Sequence, residues 1–134
     1  MRSPHSGGKS IPPTVQRDTT QRILSHAAGQ HAGKYARIDV RFRGAFCYID
    51  AYCEPDRPTQ ALLDVFGETE EQYYKRLREV PIHLCRMRFF GDPESWSVAF
   101  YTYSHERYED SFFADGSMYG TPEAAFDIGA VYLQ

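Results

Sequence analysis

Strict alternation is the feature that most limits what this chain can fold into. Tyr35-Ala-Arg-Ile-Asp-Val-Arg-Phe-Arg43 alternates with a period of two, the pattern of a half-buried strand rather than a helix. Gly44-Ala45 is a two-residue turn with glycine first. Phe46-Cys-Tyr-Ile-Asp-Ala-Tyr-Cys53 then returns. The turn sets the register, placing Arg43 opposite Phe46, Arg41 opposite Tyr48, Asp39 opposite Asp50 and Arg37 opposite Tyr52. The other face pairs Phe42 with Cys47, Val40 with Ile49 and Ile38 with Ala51. That second set is apolar and is assigned to the core.

The same logic reads the rest of the chain. Residues 82–90 and 95–104 form a second long hairpin around Gly91-Asp-Pro-Glu94. Its apolar face pairs Phe89 with Trp96, Met87 with Val98 and Cys85 with Phe100. Arg86, Arg88, Ser97, Ala99, Tyr101 and Tyr103 take the other side. Residues 108–114 and 117–119 flank Asp115-Gly116 as a short third hairpin. A first helix is expected to begin at Thr19 or Thr20, burying Ile23, Leu24 and Ala27 or Ala28. A helical turn is expected over 61–66. Thr69 opens a helix with Glu70 and Glu71 in its first turn and Arg76 and Arg78 in its last, charges that suit the helix dipole. Tyr73, Tyr74 and Leu77 supply its inner face, and Pro81 stops it. Thr121-Pro122-Glu123 is a helix start of cap, proline and acid. Ala125, Phe126, Gly129, Ala130 and Leu133 continue it as a buried stripe. Residues 1–18, with three prolines and few large apolar side chains, read as a flexible tail before one domain over 19–134. The expected class is α+β, an antiparallel sheet of four to six strands with two or three helices packed on one face.

If helices cover the apolar side, the opposite side collects Arg37, Arg41, Arg43, Arg86 and Arg88 with Phe46, Tyr48, Tyr52, Tyr101 and Tyr103. Only Asp39 and Asp50 oppose them, so this face sums to +3. The whole chain carries 15 basic and 18 acidic residues, a net −3, which implies no general affinity for nucleic acid. Positive charge is therefore concentrated on one surface. Lys9, Lys34 and Lys75 are the only lysines and the other basic residues are Arg, the side chain suited to planar recognition of carboxylate, phosphate and rings. Such a face fits a protein partner, an acidic peptide or single-stranded nucleic acid. It also fits a solvated ladder of Arg–Tyr pairs, or the interface of a homodimer.

Chemistry candidates are sparser. Asp39 opposite Asp50 pairs two carboxylates, which need a cation. A metal is one solution, and Arg37 or Arg41, two residues away on the same face, is a cheaper one. His105 and Glu106, beside Tyr103 and Tyr108 at a strand end, are the candidate general base and its orienter. Adjacent strand residues point to opposite sides, so their contact does not follow from sequence. With the Asp39/Asp50 pair they define the alternative reading of a small hydrolase or nuclease-like enzyme. Cys47 and Cys53 lie ~20 Å apart along a straight strand and cannot share a metal there. Cys85 shares one strand face with His83, with no fourth ligand in view. Gly7-Gly-Lys-Ser10 resembles the end of a phosphate-binding loop, but Ser3 stands where its first glycine belongs and no strand precedes it. No cofactor motif occurs, and none is expected.

Composition excludes a disordered chain, a coiled coil and a membrane span: 42% of residues are hydrophobic and 15% aromatic, and no apolar run approaches ~18 residues. Three cysteines argue for a reducing, cytoplasmic setting. Arg41-Phe-Arg-Gly44, Phe46-Cys-Tyr-Ile-Asp50, His83-Leu-Cys-Arg-Met-Arg88, Tyr101-Thr-Tyr-Ser-His-Glu-Arg-Tyr108 and Gly120-Thr-Pro-Glu-Ala-Ala-Phe126 resemble a family of small uncharacterised bacterial proteins. The resemblance spans most of the chain and brings no assigned activity or site. The reading from sequence is a non-enzymatic binding module working through its Arg/Tyr face.

Overall fold

The structure, a computed structural model, describes residues 6–133 of the 134. Five strands, β1 (Arg37–Arg43), β2 (Phe46–Tyr52), β3 (Ile82–Phe89), β4 (Trp96–Thr102) and β5 (Arg107–Ser111), form one antiparallel sheet in the order β1-β2-β3-β4-β5. Four helices, α1 (Pro13–Gln30), α2 (Gln60–Phe66), α3 (Glu70–Arg78) and α4 (Pro122–Gly129), accompany it, and a 3-10 turn over Ala130–Leu133 follows α4. The fold is α+β. α4 lies on β3 and β4, and α1 lies against α4 and β1. Among the described residues no helix is long and apolar enough to cross a membrane.

Both long hairpins take the register that alternation dictates. Arg37 faces Tyr52, Asp39 faces Asp50 and Arg43 faces Phe46; Phe89 faces Trp96, Met87 faces Val98 and Cys85 faces Phe100. The apolar set forms the core with Ile23 and Ala27 of α1 and Ala125, Phe126, Ala130 and Leu133 of the C-terminal stripe. Thr121 caps α4 by accepting from the Ala124 N–H, with Pro122 at the first helical position. At Gly129 a Cβ would come within 2.4 Å of the Leu84 carbonyl oxygen. This glycine lets α4 approach β3 closely.

Three expectations need correcting. α1 begins at Pro13, so residues 13–18 belong to the helix and Thr19 is a buried interior residue, not a cap. Proline at the first turn has a preset φ and needs no N–H there. Ahead of it the chain is already held: Ile11 is buried, its N–H bonds the Gly44 carbonyl, and the Lys9 N–H bonds that of Phe89. Positions 7–10 thus lie along the sheet rather than cradling an anion. The part of the expected tail at 1–5 lies outside the described residues. Secondly, α3 keeps its capping box at Thr69 and Gln72 but buries no residue. Tyr73 and Tyr74 lie beneath the guanidinium groups of its own Arg76 and Arg78 instead. Thirdly, residues 117–119 form no strand. The Asp115-Gly116 turn closes, but the Ser117 hydroxyl donates to Asp115, and the chain meets β4 only at Gly120, opposite Trp96.

Candidate functional site

The face turned away from α1 and α4 carries Arg37, Arg41 and Arg43 from β1, Tyr48, Asp50 and Tyr52 from β2, Arg86 and Arg88 from β3, and Tyr101 from β4. β5 adds Tyr108 and Asp110 opposite Tyr101 and Ala99. Five arginines against three aspartates make the face +2, one less than the first two hairpins alone give.

Asp50 is its hub. The residue is 3% exposed although no helix lies above it. Arg41 Nη2 donates to Oδ2 at 3.0 Å and His83 Nδ1 is 2.8 Å from Oδ1. Arg41 Nε also stands 3.5 Å from Asp39. The cation between the facing carboxylates is therefore Arg41, and both oxygens of Asp50 are engaged. His83 was missed on this face because strict alternation puts it with Cys85 on the core side. A bulge overturns that: Ile49 pairs with Cys85 but Asp50 pairs with His83, so Leu84 is an extra residue and the side chains before it change faces. The signal was present, because apolar residues occupy 82 and 84 and then 85, 87 and 89. Two adjacent apolar residues, Leu84 and Cys85, mark the slip.

Aromatic rings close over this hub. His83 lies tilted against Tyr101 at 4.6 Å between centroids, and Tyr101 meets Tyr103 at 4.9 Å and Tyr108 at 5.1 Å. The Tyr103 hydroxyl accepts from the His83 backbone N–H at 2.9 Å. Tyr48 on β2 and Tyr108 on β5 lie 5.7 Å apart, although three strand spacings separate their backbones by roughly 14 Å on a flat sheet. Long side chains lean inward from both sides over the small Ser97 and Ala99, each 3% exposed. Burial pushes the Tyr108 hydroxyl up, with the Asp50 charge adding to it. That hydroxyl is buried without a hydrogen-bond partner.

The guanidinium groups lie over these rings. Arg37 sits 4.0 Å over Tyr52 and Arg41 5.1 Å over Tyr48, while Arg86 and Arg88 approach Phe46 at 4.4 and 4.7 Å. Each contact contributes about 0.5–1 kcal/mol when exposed. Burial, and then the neighbouring charge of Arg86, lowers Arg88 from the usual arginine value. Among the described residues, Arg37, Arg43, Arg86 and Arg88 have no carboxylate within ion-pair distance. Off this face, Arg22, Arg57, Arg76, Arg78 and Arg107 each have one, and Arg17 has none among the described residues.

The other sequence candidates come together differently. His105 is bonded to Glu109, Nδ1 to Oε1 at 2.6 Å, and not to Glu106. Glu106 sits in the left-handed region at φ 53° within the β4–β5 turn. The hydrogen bond from His105 holds Glu109 below the usual carboxylate range. Among the described residues neither His105 nor Glu106 bonds to the Asp39–Arg41–Asp50 group, so the expected four-residue site is not joined by contacts. His83, oriented by Asp50, has the dyad geometry of a general base, but no nucleophilic hydroxyl or thiol is bonded to it among the described residues. Cys47 and Cys85 are buried and Cys53 is half-buried, all as free thiols. Burial pushes Cys85 up to about 12, which leaves it inert. Comparison of the chain with protein-family models, curated proteins and solved structures yields no match.

Proposed function

We propose that the protein is a non-enzymatic binding module whose open sheet face takes an acidic segment of a protein partner. The observation that carries this is the set of four arginines, Arg37, Arg43, Arg86 and Arg88, without carboxylate partners on a face no helix covers. Their position over aromatic rings supports the choice of ligand. Phe46 is covered by two guanidinium groups and Tyr48 and Tyr52 by one each, so the rings beside the arginines leave few faces for stacked bases. The guanidinium edges stay available for paired hydrogen bonds to carboxylates. Burying this face against a second copy would bring like charges together, which argues against a homodimer through it. The free thiols fit a reducing, cytoplasmic setting.

The test is fluorescence anisotropy with a labelled oligoglutamate, run beside an oligothymidylate of equal charge. Binding of the oligoglutamate should weaken as salt rises, and an Arg86→Ala, Arg88→Ala variant should lose at least roughly tenfold, the equivalent of ~1.4 kcal/mol. Tighter binding of the oligothymidylate would transfer the face to nucleic acid. Absence of binding to either, together with a dimer in light scattering, would assign the face to self-association.

A further inference from the structure

The covered side of the sheet holds a second cluster, unrelated to the arginine face. Where α1 ends against α4, His26, His31 and Asp127 converge. His26 Nε2 is 2.7 Å and His31 Nε2 2.8 Å from the same oxygen, Asp127 Oδ1. One donor atom from each residue lies within 4.8 Å of the other two. The rings are held by packing. They meet each other at 5.6 Å and both rest on the fully buried Phe126, at 6.0 and 5.1 Å. His31 closes α1 as its C-cap, its backbone N–H bonded to the Ala27 carbonyl.

We propose that His26, His31 and Asp127 form a binding site for one first-row divalent transition metal ion. Two imidazoles and a carboxylate on one side of an ion are a recurrent facial donor set for such metals, whereas Mg²⁺ and Ca²⁺ favour oxygen donors. Two of the three donor separations suit it, and the third pair, the two imidazoles, lies within 4.8 Å. Metal–ligand bonds of ~2.1 Å at right angles hold neighbouring donors roughly 3.0 Å apart, close to the 2.7 and 2.8 Å between each imidazole and the carboxylate. Entry of an ion therefore needs only side-chain adjustment between two helices already fixed by the core. The carboxylate is 52% exposed and the imidazoles 17% and 14%, so the remaining coordination positions face water. A groove of about 610 Å³ lined by Gln21, Arg22, Ser25, His26 and Glu123 adjoins the cluster. Glu123, one turn before Asp127, is bonded to Arg22 and is not counted as a ligand. His31 Nδ1 is buried without a partner, so this ring is oriented by packing rather than by an outer hydrogen bond.

The test uses the full chain, freed of metal by chelation and dialysed. Equilibrium dialysis with Zn²⁺ should give one ion per chain, Co²⁺ should develop a ligand-field spectrum that Zn²⁺ abolishes, and excess Mg²⁺ should leave both unchanged. Asp127→Asn and His26→Gln should each weaken Zn²⁺ binding at least roughly tenfold, a loss that even outer-shell changes reach at metal sites, whereas Asp39→Asn should not. Circular dichroism checks that the variants fold. If they do not, Zn²⁺ added to the wild-type chain should shift the histidine ring nitrogens of His26 and His31 in NMR and leave His83 and His105 in place. No Zn²⁺ uptake by the wild type would overturn the proposal and leave the cluster as a hydrogen-bonded pin between α1 and α4. So would uptake undiminished in both folded variants, or ring shifts at other histidines.

Discussion

On one face of the sheet Cys85, Met87 and Val98 are buried beneath helices. On the other, Asp50, Ser97 and Ala99 are buried almost as deeply with no helix above them. The first face is closed by a layer of apolar side chains from α1, α4 and the C-terminal turn. The second is closed by its own long side chains, whose rings and arginine stems lean over small residues while their charged ends stay in water. The covered face uses its side chains to hold the fold. The open face uses stems and rings for that purpose and leaves four of its five arginines without a carboxylate among the described residues. Burial alone does not separate a core from a working surface; what the charged ends do separates them.

The comparison can be broken from either side. The largest effect is expected on the covered face, where Phe126→Ala removes a fully buried ring and should cost about 4 kcal/mol in urea unfolding. A loss under about 1 kcal/mol would mean α4 is not what seals that face. On the open face, Asp50→Ala removes the shared partner of Arg41 and His83 and should cost about 2 kcal/mol. An unchanged midpoint would mean that the hub does not organise its canopy. Next is the pin between the covering helices. Arg22 holds Glu123 through two hydrogen bonds of 2.8 and 2.7 Å and lowers its pKa from the usual 4.5. A carboxylate lowered on folding contributes stability above its unfolded value and loses it as pH falls through the folded one. Glu123→Gln should therefore cost about 1 kcal/mol at neutral pH, and the difference from wild type should close on acidification below 4.5. A pH-independent difference would remove the ion pair as its cause. The smallest effect is expected for Arg43→Ala. An arginine with no carboxylate partner should change stability by less than about 0.5 kcal/mol while weakening oligoglutamate binding. A larger loss of stability would make the open-face arginines part of the fold's own ladder.

Much of this architecture is legible in the sequence, for identifiable reasons. The β1–β2 and β3–β4 registers follow from a two-residue turn, a four-residue turn and alternation that is unbroken in β1, β2 and β4 and from Cys85 onward in β3. The start of α4 follows from Thr121-Pro122-Glu123. The same signal, proline at the first helical turn, stands at Pro13 and went unread because the neighbouring prolines and glycines resembled a tail. The arginine face was legible as a set, and so was the placing of an arginine beside the Asp39–Asp50 pair. His83 was not, because one bulged residue at Leu84 reverses the side-chain faces and strict alternation alone does not contain it. The pairing of His105 with Glu109 depends on a turn containing Glu106 in a left-handed conformation that few non-glycine residues adopt. The His26–His31–Asp127 cluster joins residues about 100 positions apart, and only the docking of α1 on α4 brings them together.

The measurement that bears most directly on the role of the open face is NMR of the arginine Nε–Hε groups during titration with oligoglutamate. The expected result is a set of shifts confined to Arg37, Arg43, Arg86 and Arg88, with Arg22, Arg76 and Arg78 unmoved because they already hold carboxylates. Shifts spread over the arginines of α1 and α3, or none on the open face, would contradict it.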